Sequence, residues 1–150
     1  MSKFAVKVDH VVALGSIEQV YLTTMKARIE ALPLNWTRVK ITDHWLYAPG
    51  WEGWRKAIDH LLPKIPKYLR DKFDCENSAG WFRHRMAEVY EINTMAEVEG
   101  WADLEDGRGP QRHGWNVFPA GLFFFQMESQ TGVVMDIDDP RYIPDEIVMG

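Results

Sequence analysis

The spacing of apolar and polar residues changes several times along this chain, and each change predicts an element. Residues 4 to 12 (FAVKVDHVV) are valine-rich and partly alternating, which predicts a strand. Ser16 with Gln19 three positions on has the form of a capping box. Ile17, Val20, Tyr21, Thr24, Ala27, Arg28 and Ala31 then follow at helical spacing up to Pro33, predicting a helix. Residues 36 to 41 alternate again, as a strand does. Pro49-Gly50 then opens an amphipathic helix that carries Trp51, Trp54, Ala57, Ile58, Leu61 and Leu62 and stops at Pro63 and Pro66.

The second half has a different rhythm. Asp74 is a good N-cap, and Cys75, Ala79, Phe82, Met86 and Val89 recur at steps of four and three, so all five share one helix face. Residues 92 to 98 have strand character. Residues 101 to 112 (WADLEDGRGPQR) are polar and rich in glycine, which predicts a mobile loop. Strand-like runs follow over 113 to 118, 122 to 128 and 133 to 137, so the chain is expected to be α+β, a helix leading into an antiparallel meander.

At 150 residues the chain is long enough to bury one core, and a single domain over 1–150 is expected. Aromatic residues make up 13% of it, with seven tryptophans, more than a small core needs. Trp45, Trp51, Trp54 and Trp115 are therefore candidates to line a substrate groove. The net charge of −5 provides no basic stripe to neutralise phosphates, which argues against nucleic acid and anionic membranes as partners. No apolar run approaches a bilayer span and no signal-peptide core follows Met1, so the protein is expected to be cytoplasmic where it is made. A single cysteine allows no internal disulfide and no multi-thiolate zinc site, leaving either an inert buried thiol or a reactive one.

A thiol attacks carbonyls as its anion, and the unpaired N–H groups of a helix start stabilise negative charge at the position Cys75 takes. Asp74 and Glu76 oppose this, so a cationic partner is needed, and His113 is the candidate. If the hairpin turn centres between Ala120 and Gly121, His113 faces Glu128, close enough for the carboxylate to hold the ring; Asn116 and Gln130 are the alternative orienting groups. His10, His44, His60 and His84 belong to no such pattern. A Cys75-His84-His113 metal site lacks ligand spacing, and the acidic run at 136 to 139 reads as a solvated turn, so neither a metal nor a cofactor is expected.

Asp74-Cys75-Glu76-Asn77 at a helix start, His113-Gly114-Trp115-Asn116 opening a strand and Glu128-Ser129-Gln130-Thr131-Gly132 closing the next resemble the transglutaminase-like branch of the papain-like fold, in particular small bacterial and phage proteins. That resemblance implies N-terminal helices and a nucleophile-bearing helix packed on a C-terminal antiparallel sheet. It further implies a Cys75-His113-Glu128 triad, and acyl transfer or hydrolysis acting on a peptide, isopeptide or cell-wall amide. The backbone N–H of Cys75 and an indole from Trp45, Trp51 or Trp54 would serve the oxyanion. The alternative is a catalytically silent recognition module that binds carbohydrate or protein through its tryptophan-rich groove.

Overall fold

The computed structural model describes residues 12 to 69 and 74 to 150, so the strand expected over 4 to 12 lies outside the described residues except for its last position. Eight strands and three α-helices are described: β1 (Ile17–Tyr21), α1 (Leu22–Glu30), β2 (Arg38–Ile41), β3 (Trp45–Pro49), α2 (Trp51–Leu61), α3 (Cys75–Tyr90), β4 (Ala96–Asp103), β5 (Pro110–Ala120), β6 (Phe123–Met127), β7 (Val134–Asp136) and β8 (Tyr142–Met149). A 3₁₀ turn, Leu62–Lys64, ends α2 where Pro63 removes a donor.

Local chemistry explains α2 and α3 well. Trp54, Ala57, Ile58 and Leu61 put a single apolar stripe of α2 into the core. At the start of α3 the Asp74 carboxylate accepts from Asn77 N at 3.4 Å and the Asn77 amide oxygen accepts from Asp74 N at 3.2 Å, a reciprocal capping box. The helix stops at Glu91, which takes up a left-handed φ of 58°.

Residues 17 to 21 overturn the helix expected from Ser16. They pair antiparallel with Trp45–Pro49, Ile17 facing Pro49, and α1 begins only at Leu22. Val20 is buried among Met25, Ile29 and Leu46, so a tertiary partner decides the conformation over local capping chemistry. The expected mobile loop also contracts. Residues 101 to 103 and 110 to 112 are paired in β4 and β5, with Asp103 opposite Pro110, and only 104 to 109 connect them.

A six-stranded sheet in the order β2-β8-β4-β5-β6-β7 dominates the molecule, antiparallel except where β2 runs parallel to β8. Alternation along β5 sends Trp115 and Val117 into a core with α1, and Phe118 into a second core with α2 and α3. The helices therefore cover both faces. The expected layout, a nucleophile helix on a C-terminal antiparallel meander, is thus corrected to a mixed, sheet-dominated fold. Its sheet recruits β2 from the first half, and β8 enters its middle between β2 and β4. Strand β8 is admitted through a bulge at Glu99/Gly100, where a Cβ on Gly100 would sit 2.1 Å from the Ile143 carbonyl oxygen, so only glycine fits.

Two features of this sheet position the site. The β5–β6 ladder ends at the pair Asn116 and Met127, so β5 from Pro110 to Trp115 has no β6 neighbour. The first turn of α3 lies against that stretch, with the position of a Gly114 Cβ 3.4 Å from Glu76 Cγ.

Candidate functional site

Cys75 is the first residue of α3, half-buried, and its thiol sits close enough to the His113 ring to act on its charge. His113 Nε2 lies 2.8 Å from Glu128 Oε2, with only about a tenth of either side chain exposed. That leaves Nδ1 as the ring nitrogen available to Cys75. The Tyr142 hydroxyl donates to the same Glu128 oxygen at 3.1 Å, while Glu128 Oε1 is buried with no hydrogen-bond partner among the described residues. The structure thus brings Cys75, His113 and Glu128 together and adds Tyr142, which sequence reasoning missed because β8 was not foreseen.

Electrostatics couple these groups. Burial acts to lower the pKa of His113, but hydrogen bonds to Cys75 and Glu128, with the negative charge of both, outweigh it and raise the value from 6.5 to about 9. The imidazolium is therefore the form favoured at neutral pH. Burial and the neighbouring Glu128 charge push the Tyr142 phenol upward, so Tyr142 keeps its proton and remains a donor.

The route by which Glu128 reaches His113 differs from the one expected. Ala120 pairs with Phe123, so the hairpin turn is Gly121-Leu122 and the register is displaced by two residues from that predicted. Extending that register would set residue 130, not 128, opposite His113. A shift of two preserves the face. The chain also leaves the ladder after Met127: Thr131 N and Gly132 N both donate to the Glu128 carbonyl, in a turn that starts at Glu128 itself.

The two alternative orienting groups do other things. Asn116 is fully buried; its amide donates to the Ala79 and Ala96 carbonyls at 3.0 Å each and its oxygen accepts from Ser129 Oγ at 2.7 Å, tying α3, β4 and the turn together. Gln130 forms no side-chain hydrogen bond among the described residues. The four candidate tryptophans also separate. Trp115 is buried, donates to Gln126 at 2.8 Å and stacks at 5.8 Å beside the His113 ring, which it supports from behind. Trp54 is buried and its N–H is taken by the Pro119 carbonyl at 2.6 Å, so it offers no oxyanion donor. Trp45 and Trp51 are exposed. Among the described residues no group of three His, Cys, Asp or Glu is arranged to hold a metal, and no helix is long and apolar enough to cross a membrane.

The fold is shared with solved structures, one of them a lectin. PSL1a in a complex with E64 superposes with a TM-score of 0.63 at 16% identity, over 87% of this chain and 50% of that one. Polyporus squamosus lectin bound to the human-type influenza-binding epitope Neu5Acα2-6Galβ1-4GlcNAc gives 0.63 at 15%, over 87% and 49%. The chain thus spans about half the length of the solved structures it matches. No family model matches the sequence, and no curated protein does. The resemblance to transglutaminase-like and papain-like proteins is therefore withdrawn, together with the hydrolase label that rested on it. Three short motifs in the expected order matched a local geometry, and such a geometry does not specify the family around it. The fold seen is that of the matched part of these two structures.

Proposed function

We propose that Cys75, His113 and Glu128 form a cysteine–histidine–carboxylate site that takes an acyl group from an amide or ester carbonyl. The observation that carries this is the hydrogen bond from the His113 ring to the buried Glu128 carboxylate, with the Cys75 thiol near enough to that ring to raise its pKa. It rests on the side chains alone. In such a site Sγ attacks the carbonyl carbon, His113 passes a proton to the leaving nitrogen or oxygen, and Glu128 fixes the ring. The acyl group then moves to a second nucleophile. Iodoacetamide labelling near neutral pH tests this: Cys75 should react many-fold faster in the folded chain than in the urea-unfolded chain, and E64 is a second probe. Equal rates would sink the proposal.

The likeness to lectins favours a second reading more than the first: a recognition module that binds carbohydrate. Its support is that one structural neighbour is a lectin bound to a glycan, and that aromatic rings stay exposed on this chain. Glycan-array binding of the full chain tests it. A chain that binds no glycan and carries a hyper-reactive Cys75 belongs to the first reading, and the reverse result to the second.

A further inference from the structure

Of the two exposed tryptophans among the candidates, Trp45 leans edge-on against Tyr21 on the two-stranded β1–β3 sheet, whereas Trp51 lines a cleft. That cleft lies between α2 and the β6–β7 hairpin and has a volume of about 580 Å³, within the roughly 300–1,000 Å³ common for ligand sites. The Trp51 ring rests against Phe125 at 4.7 Å and keeps 37% of its surface open, so part of the residue is left in contact with solvent at the cleft.

Three charged side chains around that ring have no side-chain partner among the described residues. Arg55 stands one turn along α2, and Asp136 is the cross-strand neighbour of Phe125. Asp59 lines the adjoining space, which again contains Trp51 and Arg55. None of these three side chains forms a hydrogen bond or ion pair among the described residues. On the same rim Asp139 and Arg141 satisfy each other at 2.7 Å.

An aromatic ring beside a guanidinium and two carboxylates that lack partners among the described residues selects among ligand chemistries. A purely apolar ligand would desolvate three charges with nothing in return. An anion would meet two carboxylates for one arginine. A neutral pyranose fits both demands, since its C–H face stacks on the indole while each hydroxyl can donate to a carboxylate and accept from the guanidinium. We propose that this cleft is a subsite for a neutral pyranose, which rests on the carbohydrate-binding reading and gives it a location.

The full chain is titrated with galactose, glucose, mannose and N-acetylglucosamine, following the indole N–H resonances of its seven tryptophans. The expected result is that at least one sugar shifts the Trp51 resonance. Trp51→Ala should then weaken binding at least tenfold, Asp136→Asn and Arg55→Gln should weaken it several-fold, and Cys75 labelling should be unchanged. All three substituted side chains are exposed, so the variants should fold. Sugar binding that survives Trp51→Ala and Asp136→Asn would overturn the location and leave the carbohydrate reading standing. Absence of binding by all four sugars, with no glycan bound on an array, would overturn both.

Discussion

The corner at Cys75 and the cleft at Trp51 treat polar groups in opposite ways. At the corner Glu128 Oε2 already has two partners, His113 and Tyr142, and a buried tryptophan braces the ring. In and beside the cleft Arg55, Asp59 and Asp136 have none among the described residues. Internally paired groups are preorganised for proton transfer and do not wait for a ligand, whereas free groups around an exposed ring gain partners only on binding. The two regions should therefore respond to different perturbations.

The largest effect is expected at the corner. Cys75→Ala should abolish labelling and any acyl transfer, and His113→Ala should slow both by about 10²-fold or more, with sugar binding unchanged. If His113→Ala labels as fast as wild type, the thiol acts without the imidazole. Glu128→Gln should come next, slowing any acyl transfer by orders of magnitude, as loss of an orienting carboxylate does. In that variant the His113 titration, followed by its ring proton resonance, should fall from about 9 toward 6.5. Unchanged kinetics would make Glu128 structural only.

A pH series sharpens the same point. Because folding raises the His113 value, the protonated ring favours the folded chain. Its contribution is complete below about pH 6.5 and is lost as the pH rises through about 9. Wild type should therefore lose urea stability across that window more steeply than Glu128→Gln. A parallel decline in both would remove the coupling from the account.

The contrast between buried and open tryptophans predicts a stability effect that falls on one side only. Trp54→Ala empties the centre of the α2 core and leaves the Pro119 carbonyl unpaired, costing about 3–5 kcal/mol in urea unfolding. Trp51→Ala should cost about 1 kcal/mol or less, since much of that ring is in water. Equal losses would show that Trp51 is a core residue.

These contrasts also mark what the sequence allowed. Helices α2 and α3 were legible because their stripes and stop signals are local: Pro63 ends one and Asp74 caps the other. The contact between His113 and Glu128 was legible in kind but reached through a register two residues off, an error that a period of two forgives. Strand β1 was not legible, since a capping-box pattern at Ser16 outweighed a partner 28 residues away, such as Tyr47 for Gln19. The parallel β2–β8 pairing joins residues more than a hundred positions apart, and no local pattern encodes it. The family assignment failed for a related reason: three motifs describe a corner of the molecule, and the corner does not dictate the sheet behind it.

Tyr142 supplies the smallest and most discriminating test. Its hydroxyl shares Glu128 Oε2 with His113, and its ring packs edge-on against Trp115 at 5.4 Å, so Tyr142→Phe removes one donor and leaves the packing intact. A hydrogen bond to a charged group contributes roughly 1.5–3 kcal/mol, and part of that loss should appear in urea unfolding. The rest should appear as looseness. Glu128 Oε1 has no partner among the described residues, so once the hydroxyl is gone the imidazole alone among them holds the carboxylate, which can turn. Cys75 labelling should then fall several-fold, and the His113 titration should broaden and move below about 9. If stability drops while labelling and titration stay where they were, Tyr142 only fills space, and the ring of His113 is oriented by Glu128 and Trp115 alone.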